Sequence, residues 1–152
     1  MVPSYPLEEL LPHSGPMILI DEALDAGDGW ATAAIRVGED SLFYQAGLGV
    51  PAWVGIEYMA QTVALYAGIC AKQAGTDIRL ALLLGTRRYR AVTTHFPLGS
   101  LLRISVQEEW QDGNMAVFDC QICYHEGDQQ LAEARLNVFR PEDPIAFMQE
   151  RG

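Results

Sequence analysis

From Ser41 to Ala71 the chain carries one charged residue, Glu57. After Pro51 this stretch is helical in composition, with the proline suited to a first turn and Gly75 placed just past the end. Trp53, Ile56, Ala60, Val63 and Ala67 make one apolar stripe, and Met59, Leu65, Tyr66 and Ile69 point in other directions. A helix that is apolar nearly all round has to be buried on most sides. A membrane span is the competing solution, since Leu48 to Ala71 is long enough. Against it stand Glu57 and Gln61 in mid-span, many Ala and Gly residues, no aromatic girdle at both ends and no Lys/Arg bias on one side.

The partner for such a helix lies in the rest of the chain. Met17 to Leu24 and Trp30 to Val37 read as strands joined by the Gly27-Asp28-Gly29 turn. Leu80 to Arg90, Leu101 to Gln111, Ala116 to His125 and Gln130 to Phe139 alternate or run apolar between turns at Leu98-Gly99, Asp112-Gly113-Asn114 and Glu126-Gly127-Asp128. The expectation is an α+β fold, an antiparallel sheet of about six strands curled round one long central helix. No repeat or linker divides residues 1–152, and 49% hydrophobic content is enough for one domain with its own core.

Charge narrows the function classes. Ten basic against 20 acidic residues give a net charge of -10, which argues against nucleic acid or anionic membrane as a partner. The segment from Met1 to Leu11 carries Glu8 and Glu9 and lacks the pattern of a secretory signal, so a cytoplasmic protein is expected. Cys70, Cys120 and Cys123 read as free structural thiols. Cys120 and Cys123 lie three apart on a strand, on opposite faces, which suits neither a redox pair nor a zinc site. No metal or cofactor is expected.

Glu57 is the candidate for chemistry. A lone carboxylate inside the most apolar stretch loses hydration on folding and holds its proton more tightly, as a general acid must. The alternative is a Glu that reaches solvent through a gap between helix and sheet, capped by Gln61 one turn later.

Pro51 to Gln61, PAWVGIEYMAQ, resembles the P-G-V-L-x-x-E-A-M-A-Q helix start of bacterial beta-hydroxyacyl-carrier-protein dehydratases. Leu11-Pro12-His13-Ser14-Gly15-Pro16-Met17 with Leu19-Ile20-Asp21 is similar to their L-P-H-R-x-P-F-L-L-V-D-R opening. Arg88-Tyr89-Arg90 and Leu101-Leu102-Arg103-Ile104 are similar to their R-F-R and G-D-x-L-x-L strands. Within that family the run GVPAWVGIEYMAQT most resembles the dehydratase-like proteins of aryl-polyene clusters.

The resemblance implies a hotdog fold and a syn elimination of water from a 3-hydroxyacyl thioester on an acyl carrier protein. Glu57 matches the family's acid. The base that takes the C2 proton is, in the family, a histidine in a G-H-F-P-x-x-P loop. Here Phe43 to Pro51 is shorter than that loop and contains no histidine. Because the family's sites lie between subunits, a second hotdog dehydratase in a heterodimer could supply it. His13 is the other candidate, with an N-terminal structural hydrogen bond as its alternative role. A non-catalytic partner subunit and a hotdog acyl thioesterase also remain open.

His95, in Thr94-His95-Phe96-Pro97, imitates the catalytic loop but falls after the helix, where the family has a surface turn; His125 reads as exposed. The thioester carbonyl needs a donor, and the resemblance implies a backbone N–H on the strand after the helix, Gly85 or Leu83, with a glycine at a bulge as the alternative. Trp53, Tyr58 and Gln61 are candidates to meet substrate, or to pack the core. Arg87, Arg88 and Arg90, three of the ten basic residues, either dock an acidic carrier protein or are ordinary solvated arginines. A homodimer or heterodimer is expected, since one such sheet leaves an open edge.

Overall fold

The structure, a computed structural model, describes residues 5–11, 17–75 and 82–139. A short helix α1 (Leu7–Leu10) leads to the hairpin β1 (Glu22–Gly27) and β2 (Trp30–Arg36). A two-residue strand β3 (Val50–Pro51) and one 3-10 turn (Ala52–Val54) precede the core helix α2 (Gly55–Ala74). Then follow β4 (Leu82–Ala91), β5 (His95–Phe96), β6 (Leu101–Asp112), β7 (Met115–Tyr124) and β8 (Gln130–Phe139). Six strands form one antiparallel sheet in the order β1-β2-β6-β7-β8-β4, and β3 pairs with β5 in a separate ribbon.

The helix forms where its signals place it. Pro51 is extended before the first turn, and Gly75 ends the helix at φ 70, a left-handed position that glycine occupies without strain. Inward residues of the long strands, Leu102, Ile104 and Val106 on β6, Phe118 and Ile122 on β7, and Leu136 and Val138 on β8, share one core with Tyr58, Met59, Leu65, Tyr66 and Ile69 of α2. Tyr66 meets Phe118 edge-on, with ring centroids 5.8 Å apart, and its hydroxyl accepts the Gly29 N–H at 3.1 Å, tying the helix to the first hairpin. α1 packs on the same helix, and Gly68 permits it, because a Cβ there would collide with the Leu10 carbonyl.

Several expectations are corrected. β1 begins at Glu22 rather than Met17 and runs on to Gly27; of the segment before it, Asp21 still donates its N–H to the Ala34 carbonyl. The β3–β5 ribbon was not foreseen, because two-residue strands have no periodicity to read. The stripe of Trp53, Ile56, Ala60 and Ala67 is the least covered side of α2, and within it only Val63 is buried. The opposite directions face the sheet. α2 with its preceding turn is long and apolar enough to cross a membrane, yet 67% of that apolar window is buried within this fold. Cys120 and Cys123 are free and both buried; as expected they lie on opposite faces of β7, Cys120 opposite Val106 in the core and Cys123 opposite the half-buried Arg103. Burial pushes the Cys120 thiol up, which suits an inert core residue.

Candidate active site

Glu57 sits in the first turn of α2, where the helix dipole favours a carboxylate. The expectation of a buried carboxyl is corrected: Glu57 is exposed, on the side of the helix that this chain's own sheet leaves open. A carboxylate cannot be drawn into the sheet-facing core without a partner, so the helix turns it outward.

Gln61, one turn later, is fully buried. Its Oε1 accepts the Leu19 N–H at 2.9 Å, and its Nε2 donates to the Met17 carbonyl at 2.7 Å and to Glu57 Oε1 at 3.3 Å. One amide thus joins the segment before β1 to the carboxyl. Both of its amide hydrogens are committed within the chain.

A cleft of about 260 Å³ beside Tyr58 is lined by Ile18, Leu19, Ile35 and Leu42 and by the polar Asp21, Arg36, Asp40 and Ser41. Tyr58 is buried, its ring 5.9 Å from Phe96, and burial together with the nearby Asp21 charge pushes its hydroxyl up to about 12. Trp53, one turn before Glu57, is instead exposed and stands against Phe43, with ring centroids 5.1 Å apart.

The start of the helix is held from three sides. Val50 and Pro51 pair with Phe96 and His95, the Ala52 N–H donates to the Thr94 carbonyl at 2.9 Å, and the Tyr89 hydroxyl donates to the Ala52 carbonyl. Burial pushes the Tyr89 hydroxyl up to about 12, keeping it a donor. Gly55 allows this approach, since a Cβ there would strike Tyr89 and Ile122.

Gly85 and Leu83 lie on β4, the last strand of the sheet, beside a bulge at Leu84 where two β4 residues face one on β8. Among the described residues no strand pairs with the outer edge of β4. A second bulge, between Arg87 and Arg90, sends Tyr89 inward while Arg87, Arg88 and Arg90 are all exposed, with Arg88 at φ 58. Regular alternation cannot turn those three side chains to one face. Arg88 and Arg90 line a groove of about 300 Å³ on the outer face with Asp119, Gln121, Glu133 and Arg135. Arg135 joins the expected cluster, though its Nε is paired with Asp119 at 2.9 Å.

Of the three histidines, His13 lies outside the described residues. His95 is not on a detached surface turn: it faces Pro51 across the β3–β5 ribbon, at the foot of the core helix. His125, expected to be exposed, is half-buried at the β7–β8 turn. The described part of the loop from Phe43 to Pro51 brings no histidine to Glu57.

Comparison with known proteins places this arrangement. The family model for ApeP-like proteins, described as ApeP dehydratase, matches residues 5–149. The dehydratase heterocomplex ApeI:P from Xenorhabdus doucetiae is similar at TM-score 0.88 and 27% identity, over 99% of this chain and 99% of that one. A hypothetical thioesterase bound to coenzyme A from Streptococcus pneumoniae TIGR4 is similar at TM-score 0.63 and 15% identity, over 79% of this chain and 84% of that one. The E. coli PaaI protein is similar at TM-score 0.59 and 13% identity, over 78% and 82%. These last two share the hotdog fold alone. No curated protein sequence matches. With its hotdog fold and a family match over nearly its whole length, the chain belongs to the ApeP-like dehydratase family.

Proposed function

We propose that the chain is one half of a 3-hydroxyacyl-acyl-carrier-protein dehydratase of aryl-polyene or fatty-acid synthesis, acting in the cytoplasm with a second hotdog dehydratase. Glu57 is its general acid. The observation that carries this reading is the position of Glu57: exposed at the uncovered side of the core helix, yet tied by Gln61 to the folded chain. A carboxyl so placed is completed by whatever covers it, and a partner subunit would supply both the desolvation and the histidine that the 43–51 loop lacks. The similar heterocomplex from Xenorhabdus supports a heterodimer.

In the reaction the partner's histidine takes the proton from C2, the C2–C3 double bond forms, and the C3–O bond breaks as Glu57 protonates the departing hydroxyl. Water and the 2-enoyl thioester result. The backbone N–H of Gly85 or Leu83, on β4, is proposed to receive the thioester carbonyl. His13 is proposed only as the base of a homodimeric version of the site. No cofactor takes part. Trp53 and Gln61 differ in role: Trp53 meets the acyl group, while Gln61 acts through Glu57. The groove with Arg88 and Arg90, and Arg87 beside it, docks the acidic carrier protein.

The reaction class is tested with a 3-hydroxyacyl thioester on carrier protein, offered to the chain together with a histidine-bearing dehydratase from its own operon. Expected is loss of water with the thioester intact, at a rate that falls as salt rises. Release of free carrier thiol would instead make the chain a thioesterase and defeat the proposal.

A further inference from the structure

His95 and the loop before the core helix form a latch that the acid chemistry does not use. The ring Nε2 of His95 is 2.9 Å from Gln45 Oε1, and Nδ1 is 3.0 Å from Thr94 Oγ1. An amide oxygen can only accept, so Nε2 donates to Gln45. Both ring nitrogens are thus engaged by neighbouring side chains of this chain.

What it holds is a tight loop. Gln45 and Gly49 exchange backbone hydrogen bonds of 2.8 and 2.9 Å, and a Cβ at Gly49, whose φ is 108, would collide with the Phe96 carbonyl oxygen. The loop therefore lies directly on β5. Within it Phe43 has φ 67, a conformation that is rare and costly for a bulky residue and that persists where its surroundings over-determine it, commonly at functional sites.

Phe43 is 48% exposed and Trp53 58%, their planes tilted by 59°. Trp53 precedes Glu57 by four residues and so shares its side of the helix, whereas Val54 and Gly55 between them are buried. Leu42, next to Phe43, lines the cleft of mixed polar and apolar walls that Tyr58 also lines. One latched loop thus carries both the ring that meets Trp53 and a side chain of the Tyr58 cleft.

We propose that Phe43 is a specificity-determining residue whose ring, with Trp53, forms the wall along which the substrate's acyl chain lies, and that His95, through Gln45, is the positioning residue that keeps it there. The proposal rests on the reading of Glu57 as the reacting carboxyl. An acyl chain fits better than a protein surface because the tilted rings stand within one helical turn of Glu57, the carboxyl that would act at the chain's third carbon.

The test is the affinity of butyryl- and decanoyl-pantetheine, saturated thioesters that cannot lose water, measured by calorimetry on the chain in complex with its histidine-bearing partner. Phe43→Ala is expected to weaken decanoyl binding about tenfold and to change butyryl binding by less than about twofold. His95→Ala should do the same. His95→Gln, whose amide nitrogen can donate to Gln45 in place of Nε2, should restore it. Equal losses for both thioesters, unchanged decanoyl affinity, or loss of partner binding alone would overturn the proposal. Since these thioesters do not react, a Glu57→Gln variant that kept its turnover would remove the acid reading and leave this binding result standing.

Discussion

Glu57→Gln lowers water elimination by the assembled enzyme by about two to four powers of ten, the span of a general acid's contribution. The amide keeps the shape of the side chain but has no acidic proton for the departing hydroxyl. Because Glu57 is exposed, the exchange leaves folding stability within about 0.5 kcal/mol, the usual range for a surface substitution. Initial rates of 2-enoyl thioester formation, read beside a thermal melt, separate the two effects. A variant that kept the wild-type rate would take the acid role away from Glu57.

Gln61→Leu has the second large effect, and it differs in kind. Gln61 is fully buried, and the leucine leaves the Leu19 N–H and the Met17 carbonyl without their partner. A buried polar group left unsatisfied costs about 1–3 kcal/mol, and at this chain length each kcal/mol lowers the melting temperature by about 2–4 °C. The expected result is a melt several degrees lower, together with a fall in kcat as the carboxyl loses its tether. Glu57→Gln should cost rate without stability, and Gln61→Leu should cost both. A Gln61→Leu protein that melted with the wild type would show that the amide does not tie the N-terminal segment to the helix.

The long elements were legible because each carries a period or a stop signal. The core helix could be read from Pro51 and Gly75, and β6, β7 and β8 from their alternation between glycine turns. What could not be read depends on breaks in alternation and on contacts distant in sequence. The bulge that turns Arg87, Arg88 and Arg90 outward has no composition signature, and neither do the two-residue strands that bring His95 to the foot of the helix. Periodicity found the apolar stripe of α2 but not its direction: Trp53, Ile56, Ala60 and Ala67 line the partly open side. Glu57 was legible as the lone charge of its stretch, but its exposure was not, since one chain's sequence does not say which side of a helix a second subunit would cover.

The shared site is tested most directly by following loss of water from a 3-hydroxyacyl-carrier-protein substrate with this chain alone and with the chain mixed with its histidine-bearing dehydratase. The account predicts elimination in the mixture and none by the chain alone. Full activity of the chain alone would contradict it and turn attention to His13 as the base.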